Sequence, residues 1–419
     1  IARDYEAPGI GVPHRSEAPP VRAYVGEPLG PVTFSDRGSG KVSLVFAGSL
    51  PSGMSDLTRS DVLMGQPDAA QTVSLSVQAV NTYYGATEAS VAYFQPFIVR
   101  ARPAVERIGG TDRYEAAVNA SKSRFPGTAA TVYMVSGEKF ADALSAGAVA
   151  IQAGAPLLLT NAGSLPGSVA AELKRLQPAE VVVVGGPASV SDAVMAQIAA
   201  STGRTTTVER IGGADRYEVS QNLLKTAAVF SPLYIASGRT YPDALAAAPA
   251  AATGGNVVLL VDGALNTLSD ATMEFIAASR SSLILVGGPA TISSGIQTQL
   301  QSTGRTVTRF GGADRYETAT LVSRFVLIPS GTELSRVPSN PVPLHDRDTV
   351  YLASGENYPD ALAGGVAAGL AKAPLYITPK NCVPRPVLLD IGSTGATKVV
   401  VLGGPNTLAA PVESLTVCP

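Results

Sequence analysis

Arg107-Ile-Gly-Gly-Thr-Asp-Arg-Tyr-Glu115 is the stretch from which the fold of this chain can be predicted. It occurs twice more with small changes, as Arg210-Ile-Gly-Gly-Ala-Asp-Arg-Tyr-Glu218 and Arg309-Phe-Gly-Gly-Ala-Asp-Arg-Tyr-Glu317. We call this stretch block 1, and its copies begin 103 and 99 residues apart. Self-similarity at a fixed period is the signature of a repeat architecture, so it is interpreted before any other feature.

Two further blocks follow each copy in the same order. Block 2 reads Ser136-Gly-Glu-Lys-Phe-Ala-Asp-Ala-Leu144, Ser237-Gly-Arg-Thr-Tyr-Pro-Asp-Ala-Leu245 and Ser354-Gly-Glu-Asn-Tyr-Pro-Asp-Ala-Leu362. Block 3 is Gly-Gly-Pro, and it begins 49, 50 and 49 residues after the serine of block 2. Matched order and spacing predict three copies of one unit, which we place at 104–206, 207–305 and 306–419 and call repeats 1, 2 and 3.

Each repeat alternates between two kinds of segment. Short unbroken apolar runs occur at 132–135, 156–159 and 181–184, as in strands that are covered on both faces. Helix-compatible segments such as 142–152 and 168–176 lie between them. This alternation predicts three homologous α/β repeats with parallel sheets. The shared blocks then lie at the carboxyl edge of each sheet, where open α/β sheets usually bind ligands.

The repeated aspartates are candidates for helix caps or ion pairs. In block 1 the aspartate and the glutamate three residues later match a capping box. Block 2 places another aspartate at a second helix entry. The candidate residues are Asp112, Asp215 and Asp314 in block 1, and Asp142, Asp243 and Asp360 in block 2.

The repeated arginines have two interpretations. The second arginine of block 1 (Arg113, Arg216 and Arg315, the helix arginines) falls in the first turn of a predicted helix, beside free backbone N–H groups. It could bind a phosphate or carboxylate of a ligand, or it could form a buried ion pair with the aspartate of block 2. The first arginine (Arg107, Arg210 and Arg309, the leading arginines) has the same ambiguity, so all six are candidate polymer-binding residues.

The part of the chain before the repeats has a different pattern. Residues 42–46 and 72–77 alternate between apolar and polar side chains, and Gly, Pro and Asn turns separate such segments. This pattern predicts an all-β sandwich at 21–103, after an extended N-terminal tail at 1–20.

Composition excludes several classes of protein. With 31 basic and 33 acidic residues among 419, the chain lacks the basic surplus of a nucleic-acid binder. Two histidines and two cysteines argue against a zinc site, and no cofactor or metal is expected. The longest apolar stretch, 244–261, is interrupted by Pro, Gly and Asn, which argues against a membrane span. Cys382 and Cys418 form a candidate disulfide that would suggest an oxidising exterior.

The three blocks together strongly resemble the type 2 cell-wall-binding repeat of Gram-positive bacterial surface proteins. The resemblance implies a secreted protein that is held non-covalently in the wall. It also implies three modules around a pseudo-threefold axis that bind an anionic secondary wall polymer or another anionic glycan. The segment Ala155-Pro-Leu-Leu-Leu-Thr160 is similar to the family's Pro-Ile-Leu-Leu motif, which makes Leu157, Leu158 and Leu159 further candidate polymer-binding residues.

The N-terminal region is similar to a bacterial immunoglobulin-like domain. The similarity rests on Leu50-Pro-Ser-Gly-Met54 and Gly65-Gln-Pro67, together with Val77-Gln-Ala-Val-Asn81 and Gly85. Such domains are spacers or adhesive modules on cell surfaces, so other surface proteins are possible partners.

Three functions are compatible with this organisation. The one that we favour is a non-catalytic wall anchor that displays the immunoglobulin-like domain. A surface-layer or adhesin subunit that acts mainly through protein–protein contacts is an alternative. A wall hydrolase is a third, but His14 falls in the predicted tail and His345 in a Pro-rich insertion of repeat 3.

Overall fold

The computed structural model describes most of the chain. The described residues are 21–24, 29–33, 42–47, 50, 52–57, 62–83, 86–89, 93–202, 205–227, 232–279, 282–326 and 348–419. The predicted tail, 1–20, and His345 of the predicted insertion lie outside them. The main break between two compact units falls between Pro103 and Ala104.

Before Ala104, the regular elements that the structure describes are all β-strands. These are β1 (Val21–Tyr24), β2 (Leu29–Thr33), β3 (Val42–Ala47), β4 (Met54–Leu57), β5 (Val62–Gly65), β6 (Gln71–Tyr83), β7 (Ala86–Ala89) and β8 (Tyr93–Arg100). One sheet has the order β1-β8-β6-β3, with β7 paired to β6, and another has the order β2-β5-β4. The pairings are antiparallel except that β1 runs parallel to β8.

The repeat region alternates between strands and helices. Its elements begin with β9 (Ala104–Ile108), α1 (Arg113–Arg124), β10 (Thr131–Ser136), α2 (Phe140–Gln152), β11 (Leu157–Thr160), α3 (Gly167–Leu176), β12 (Glu180–Val184) and α4 (Asp192–Ser201). They continue with β13 (Thr207–Ile211), α5 (Arg216–Leu224), β14 (Leu233–Ser237), α6 (Pro242–Thr253), β15 (Val258–Val261), α7 (Asp270–Ala278), β16 (Leu283–Val286) and α8 (Ser294–Gln301). The last are β17 (Val307–Phe310), α9 (Arg315–Val326), β18 (Thr349–Ser354), α10 (Pro359–Leu370), β19 (Leu375–Thr378), α11 (Arg385–Thr394), β20 (Lys398–Leu402) and α12 (Ala410–Glu413).

The strands form three sheets of the same topology, and every pairing is parallel. Their orders are β11-β10-β12-β13, β15-β14-β16-β17 and β19-β18-β20-β9. The side chains of the central strands are buried (Val132, Ile235 and Val401 are each 0% exposed), which explains their unbroken apolar sequences. The prediction of three α/β repeats with parallel sheets is confirmed.

Each sheet takes its last strand from the neighbouring repeat. Strand β13, at the start of repeat 2, pairs with β12 of repeat 1, with Ile211 opposite Val184. Strand β17 completes the sheet of repeat 2 in the same way. Strand β9, at the start of repeat 1, completes the sheet of repeat 3, with Ile108 opposite Leu402. The repeats are therefore joined in a closed cycle, and their sheets cross the boundaries drawn from the sequence.

Three equivalent helices meet at the centre of the cycle. Helices α2, α6 and α10 pack against one another. A Cβ built on Gly147 would lie 3.5 Å from Ala248 Cβ, so the backbones approach closely at that level. At the start of the three helices the rings of Phe140, Tyr241 and Tyr358 contact each other, with centroids 5.6–5.7 Å apart. The near-equal distances give this centre an approximate threefold symmetry.

Within repeat 3, a disulfide ties the C-terminal residues to the loop between β19 and α11. Cys382 and Cys418 are bonded, with their Cα atoms 4.9 Å apart, and the adjacent Val383 and Val417 form a parallel bridge. Among the helices that the structure describes, none combines the length and the apolarity that crossing a membrane requires.

Candidate functional site

The three shared blocks meet at the carboxyl edge of the sheets. Block 2 follows the central strand β10, and block 3 follows β12, its neighbour. Block 1 of the next repeat follows β13, which is paired to β12. Gly185 N donates to Ile211 O at 2.9 Å, which fixes block 3 of repeat 1 against block 1 of repeat 2. Every such edge site is therefore built from two repeats.

The aspartates of block 1 are helix N-caps. Asp215 Oδ1 accepts hydrogen bonds from Tyr217 N and Glu218 N, both at 2.9 Å. Glu218 in turn accepts from Ala214 N at 2.7 Å, which stabilises the turn just before the cap. Asp112 and Asp314 have the same geometry in their repeats.

The aspartates of block 2 are buried and join block 2 to block 3. Asp142 Oδ2 accepts the Ser189 hydroxyl at 2.7 Å. The Gly185 backbone lies against this carboxylate: its φ is +115°, and a Cβ there would be 2.6 Å from Asp142 Oδ2. Only glycine fits this turn, both for its φ and for lack of space.

The same arrangement recurs in the other two repeats. Burial raises the pKa of Asp243 and of Asp360, while a hydrogen bond from a threonine (Thr291 or Thr407) opposes the rise. The charges of Arg315 and Arg113 also oppose this rise in pKa, from the neighbouring repeat.

The predicted ion pair between the helix arginines and the block 2 aspartates is not formed. Within the described ranges, no N–O distance of 4.0 Å or less joins Arg113, Arg216 or Arg315 to one of these aspartates. Instead each arginine donates from Nη1 to the glycine carbonyl of block 2 in its own repeat. The distances are 2.5 Å to Gly137, 2.7 Å to Gly238 and 2.6 Å to Gly355. The threonine or serine hydroxyl satisfies the aspartate, so the arginine is left for other contacts.

The leading arginines are occupied by structural hydrogen bonds. Arg309 donates from Nη1 to Gly287 O and Ile292 O at 2.8 and 2.9 Å, and from Nε to Gln297 Oε1 at 2.8 Å. Arg107 uses all three nitrogens on Glu413, Gly403 O and Leu408 O.

Arg210 likewise bonds Gly185 O at 2.8 Å and Asp192 at 3.0 Å. We therefore withdraw the leading arginines as polymer contacts: their donors hold the last strand of each sheet to block 3.

The leucine motif is also not available to a ligand. Leu157, Leu158 and Leu159 form β11 and are 2%, 0% and 0% exposed. Leu158 packs in the core of repeat 1, and Leu157 and Leu159 pack in the core that the three repeats share, so a polymer cannot reach them. The prediction that they contact polymer is wrong because a strand of a doubly covered sheet points every side chain into the core.

A groove of about 420 Å³ lies at the junction of repeats 1 and 2. We call it the first junction groove. One wall is block 2 of repeat 1 (residues 138–142), and the floor includes Gly186 and residues 188–189. The other wall is block 1 of repeat 2, residues 213–216 with Val219. Arg216 is the helix arginine of this groove, and one hydrogen bond accounts for only one of its donors.

Sequence reasoning missed two features of this edge. It did not anticipate that a site would be shared between repeats, because strand exchange is not visible in local patterns. It also did not predict a role for the aromatic position of block 2 (Phe140, Tyr241 and Tyr358), although that position is aromatic in all three copies.

The fold and this edge define a class: tandem α/β repeat proteins whose edge loops are shared between neighbouring repeats. The model of the family "Cell wall binding domain 2 (CWB2)" matches residues 107–195, 210–297 and 309–413. The chain belongs to this family, and wall binding is the function that the family's description names.

Two curated relatives match the chain over about three quarters of its length. The N-acetylmuramoyl-L-alanine amidase LytC of Bacillus subtilis (strain 168) is 32% identical over 312 residues, which are 74% of this chain and 57% of that protein. The amidase enhancer of the same organism is 27% identical over 310 residues, 74% of this chain and 39% of that protein. The chain thus spans less than two thirds of either relative.

Two solved structures have the same fold. Cwp6 from Clostridium difficile superimposes with a TM-score of 0.65 at 22% identity, over 97% of this chain and 68% of that chain. Cwp8 from the same organism gives a TM-score of 0.64 at 21% identity, over 89% of this chain and 62% of that chain.

Proposed function

We propose that this chain is a non-catalytic surface protein of a Gram-positive bacterium, anchored non-covalently in the cell wall. Its three repeats bind an anionic secondary wall polymer, and the N-terminal unit, an immunoglobulin-like domain, is the part that is displayed. Membership of the wall-binding family supports the anchoring role. The disulfide supports secretion, because such bonds persist outside the reducing cytosol.

The polymer proposal rests on the hydrogen bonding of the helix arginines. Each lies at a junction between repeats and is only partly committed to a backbone carbonyl. A guanidinium presents donors in a planar fork that matches carboxylate and phosphate groups. Three such sites on one chain give avidity to a repeating polymer even when each site is weak.

The shared serines of block 2 are turn residues in this proposal. Ser136 Oγ accepts hydrogen bonds from Glu138 N and Lys139 N at 3.1 and 3.2 Å, and Ser354 has the same pattern. A nucleophilic serine needs a base within hydrogen-bond reach. The oxygen is instead engaged by the turn that it stabilises, which supports a binding role over an acyl-transfer role.

Co-sedimentation with isolated cell walls tests the proposal. We expect the purified chain to sediment with intact walls and to remain in solution with walls from which secondary polymers have been chemically removed. Binding should weaken as ionic strength rises, because charge pairs at an exposed edge are screened. Equal binding to stripped walls would refute the polymer anchor. Release of wall fragments by the chain alone would favour the hydrolase alternative.

A surface-layer or adhesin role differs in what the chain contacts. In that case the N-terminal unit would bind other surface proteins, and self-association would accompany display. Analytical ultracentrifugation of the free chain separates the two, since an anchor with an internal set of three repeats is expected to be a monomer.

A further inference from the structure

The three junctions share their blocks but differ at four consecutive positions of block 2. Repeat 1 has Glu138-Lys139-Phe140-Ala141, where the others have Arg239-Thr240-Tyr241-Pro242 and Glu356-Asn357-Tyr358-Pro359. The cation of repeat 2, Arg239, is paired with Asp262 at 3.1 Å. Lys139 and Phe140 line the first junction groove. Differences here change which donors a ligand can reach.

The aromatic residue of block 2 lies beside the helix arginine of the next repeat at two of the junctions. At the junction of repeats 3 and 1, burial raises the pKa of the Tyr358 hydroxyl, and the neighbouring Arg113 guanidinium opposes this rise. That hydroxyl donates to Gly137 O at 3.2 Å, the carbonyl that Arg113 itself uses. Tyr358 and Arg113 therefore donate to the same carbonyl.

Phe140 has no hydroxyl to offer at the first junction. The Arg216 guanidinium lies over its ring, with Cζ 5.7 Å from the ring centroid. A cation over an aromatic face is held in place while its in-plane N–H donors stay available. The ring thus holds Arg216 in place. Its single hydrogen bond, to Gly238 O, leaves its other N–H donors available.

Lys139 adds a second cation to the same groove. It is exposed, and its Nζ donates to Ala188 O at 2.8 Å, which places the ammonium on the groove floor with donors to spare. The carboxylates of the groove are already engaged: Glu138 accepts from Ala162 N at 3.0 Å, Asp142 from Ser189, and Asp215 caps its helix. Lys139 and Arg216 therefore supply the charged N–H donors that an acidic group in the groove could meet.

We propose that the three junctions are not equivalent and that the first junction groove is the principal polymer subsite. It binds the acidic group of one sugar unit, a carboxylate or a phosphate, between Lys139 and Arg216. The other two junctions then serve as weaker contacts along the same polymer. This inference rests on the proposed wall-binding function and specifies where it is concentrated.

Binding isotherms of the full chain on isolated walls test the inference. We expect Lys139→Thr, which copies repeat 2, to weaken binding about five- to tenfold, the effect of losing one charge-assisted contact. Phe140→Tyr should weaken it about two- to fivefold by giving Arg216 a hydroxyl partner. Lys174→Thr is the charge-matched control, since Lys174 lies in another groove of repeat 1, and it should leave binding unchanged.

Reciprocal variants test the same logic at the other junctions. Thr240→Lys and Tyr358→Phe give repeats 2 and 3 the residues of repeat 1, and each should strengthen binding.

Competition with oligogalacturonate or with a glycerol phosphate oligomer distinguishes a carboxylate from a phosphate, and neutral dextran should not compete. The melting temperature of each variant separates loss of binding from loss of folding. Lys139→Arg conserves the charge and should bind as the natural chain does.

The outcomes separate this inference from the function on which it rests. If the natural chain binds walls and all variants bind equally, the inference is overturned and wall anchoring stands. If Lys139→Thr and Lys174→Thr weaken binding equally, the effect is bulk charge and the subsite is again refuted. If the natural chain does not bind walls at all, it is the proposed function that fails.

Discussion

At the scale of single residues, the two arginines of block 1 have different roles. Arg309 is a leading arginine whose donors reach two backbone carbonyls and one glutamine, and burial lowers its pKa. Arg216 is a helix arginine with one bond to Gly238 O and a ring beneath it. Composition and spacing alone made the two kinds look alike.

Substituting each arginine by alanine should separate stability from binding. Arg309→Ala is expected to lower the free energy of unfolding by about 2–3 kcal/mol, because partly buried carbonyls lose their donors. Arg216→Ala should cost about 1 kcal/mol for its single bond and reduce wall affinity instead. Urea unfolding at fixed salt and wall binding of the folded variants measure the two effects. Equal losses of stability would contradict the division of roles.

The buried aspartates predict a pH dependence with a defined sign. Burial raises the pKa of Asp243 above its ordinary value of 3.8, so the folded state binds more protons than the unfolded state between the two values. The contribution of this group to stability is fully present below about pH 4 and falls as the pH rises through the folded-state pKa.

Asp243→Asn should remove this contribution while keeping an acceptor for Thr291. Relative to the natural chain, the variant is expected to gain stability as the pH rises from about 4 to 7. Urea midpoints across that range test it. If the urea midpoints of the two proteins changed with pH in parallel, the Asp243 carboxyl would have the same pKa in the folded and unfolded states.

At the scale of elements, each repeat depends on a turn that only glycine can make. Gly287 follows β16 with φ +122°, and a Cβ there would be 2.5 Å from Asp243 Oδ2. The turn carries block 3 and holds the carboxylate that joins two blocks. Strand, turn and following helix are therefore one unit.

Gly287→Ala should lower the free energy of unfolding more than the same substitution at a glycine that also has a positive φ but has open space around it. Gly304 is the matched control, because its φ is +74° and a Cβ added there would have no heavy atom within 4 Å. Gly304→Ala is expected to cost about 1–2 kcal/mol from backbone strain. Gly287→Ala should cost about 2–3 kcal/mol more, because a buried carboxylate must move. Chemical denaturation measures both, and equal costs would mean that the turn relaxes freely.

At the scale of the whole molecule, the first strand of the repeat region belongs to the last sheet. Strand β9 pairs with β20, Gly403 N donates to Ile108 O at 2.8 Å, and Arg107 bonds block 3 of repeat 3. The three repeats thus support one another around a cycle.

Replacing Ala104–Ile108 by five Gly and Ser residues should therefore weaken the far end of the chain. Hydrogen exchange is expected to speed up at β20 and Gly403, which lose their partner strand. The equivalent amide of Gly185, bonded to Ile211 O, is the internal control and should stay protected. Unchanged exchange at Gly403 would show that the cycle does not stabilise repeat 3.

Local order in this protein follows from its sequence alone. The triplication, the alternation of strands and helices and the caps at Asp112, Asp215 and Asp314 depend on contacts within a few residues, which short motifs encode. Strand exchange and the different roles of the two kinds of arginine were decided only in the tertiary structure. The physical reason is that a side-chain donor bonds the acceptor that the fold brings nearest to it. For Arg107 that acceptor, Gly403 O, lies 296 positions away along the chain.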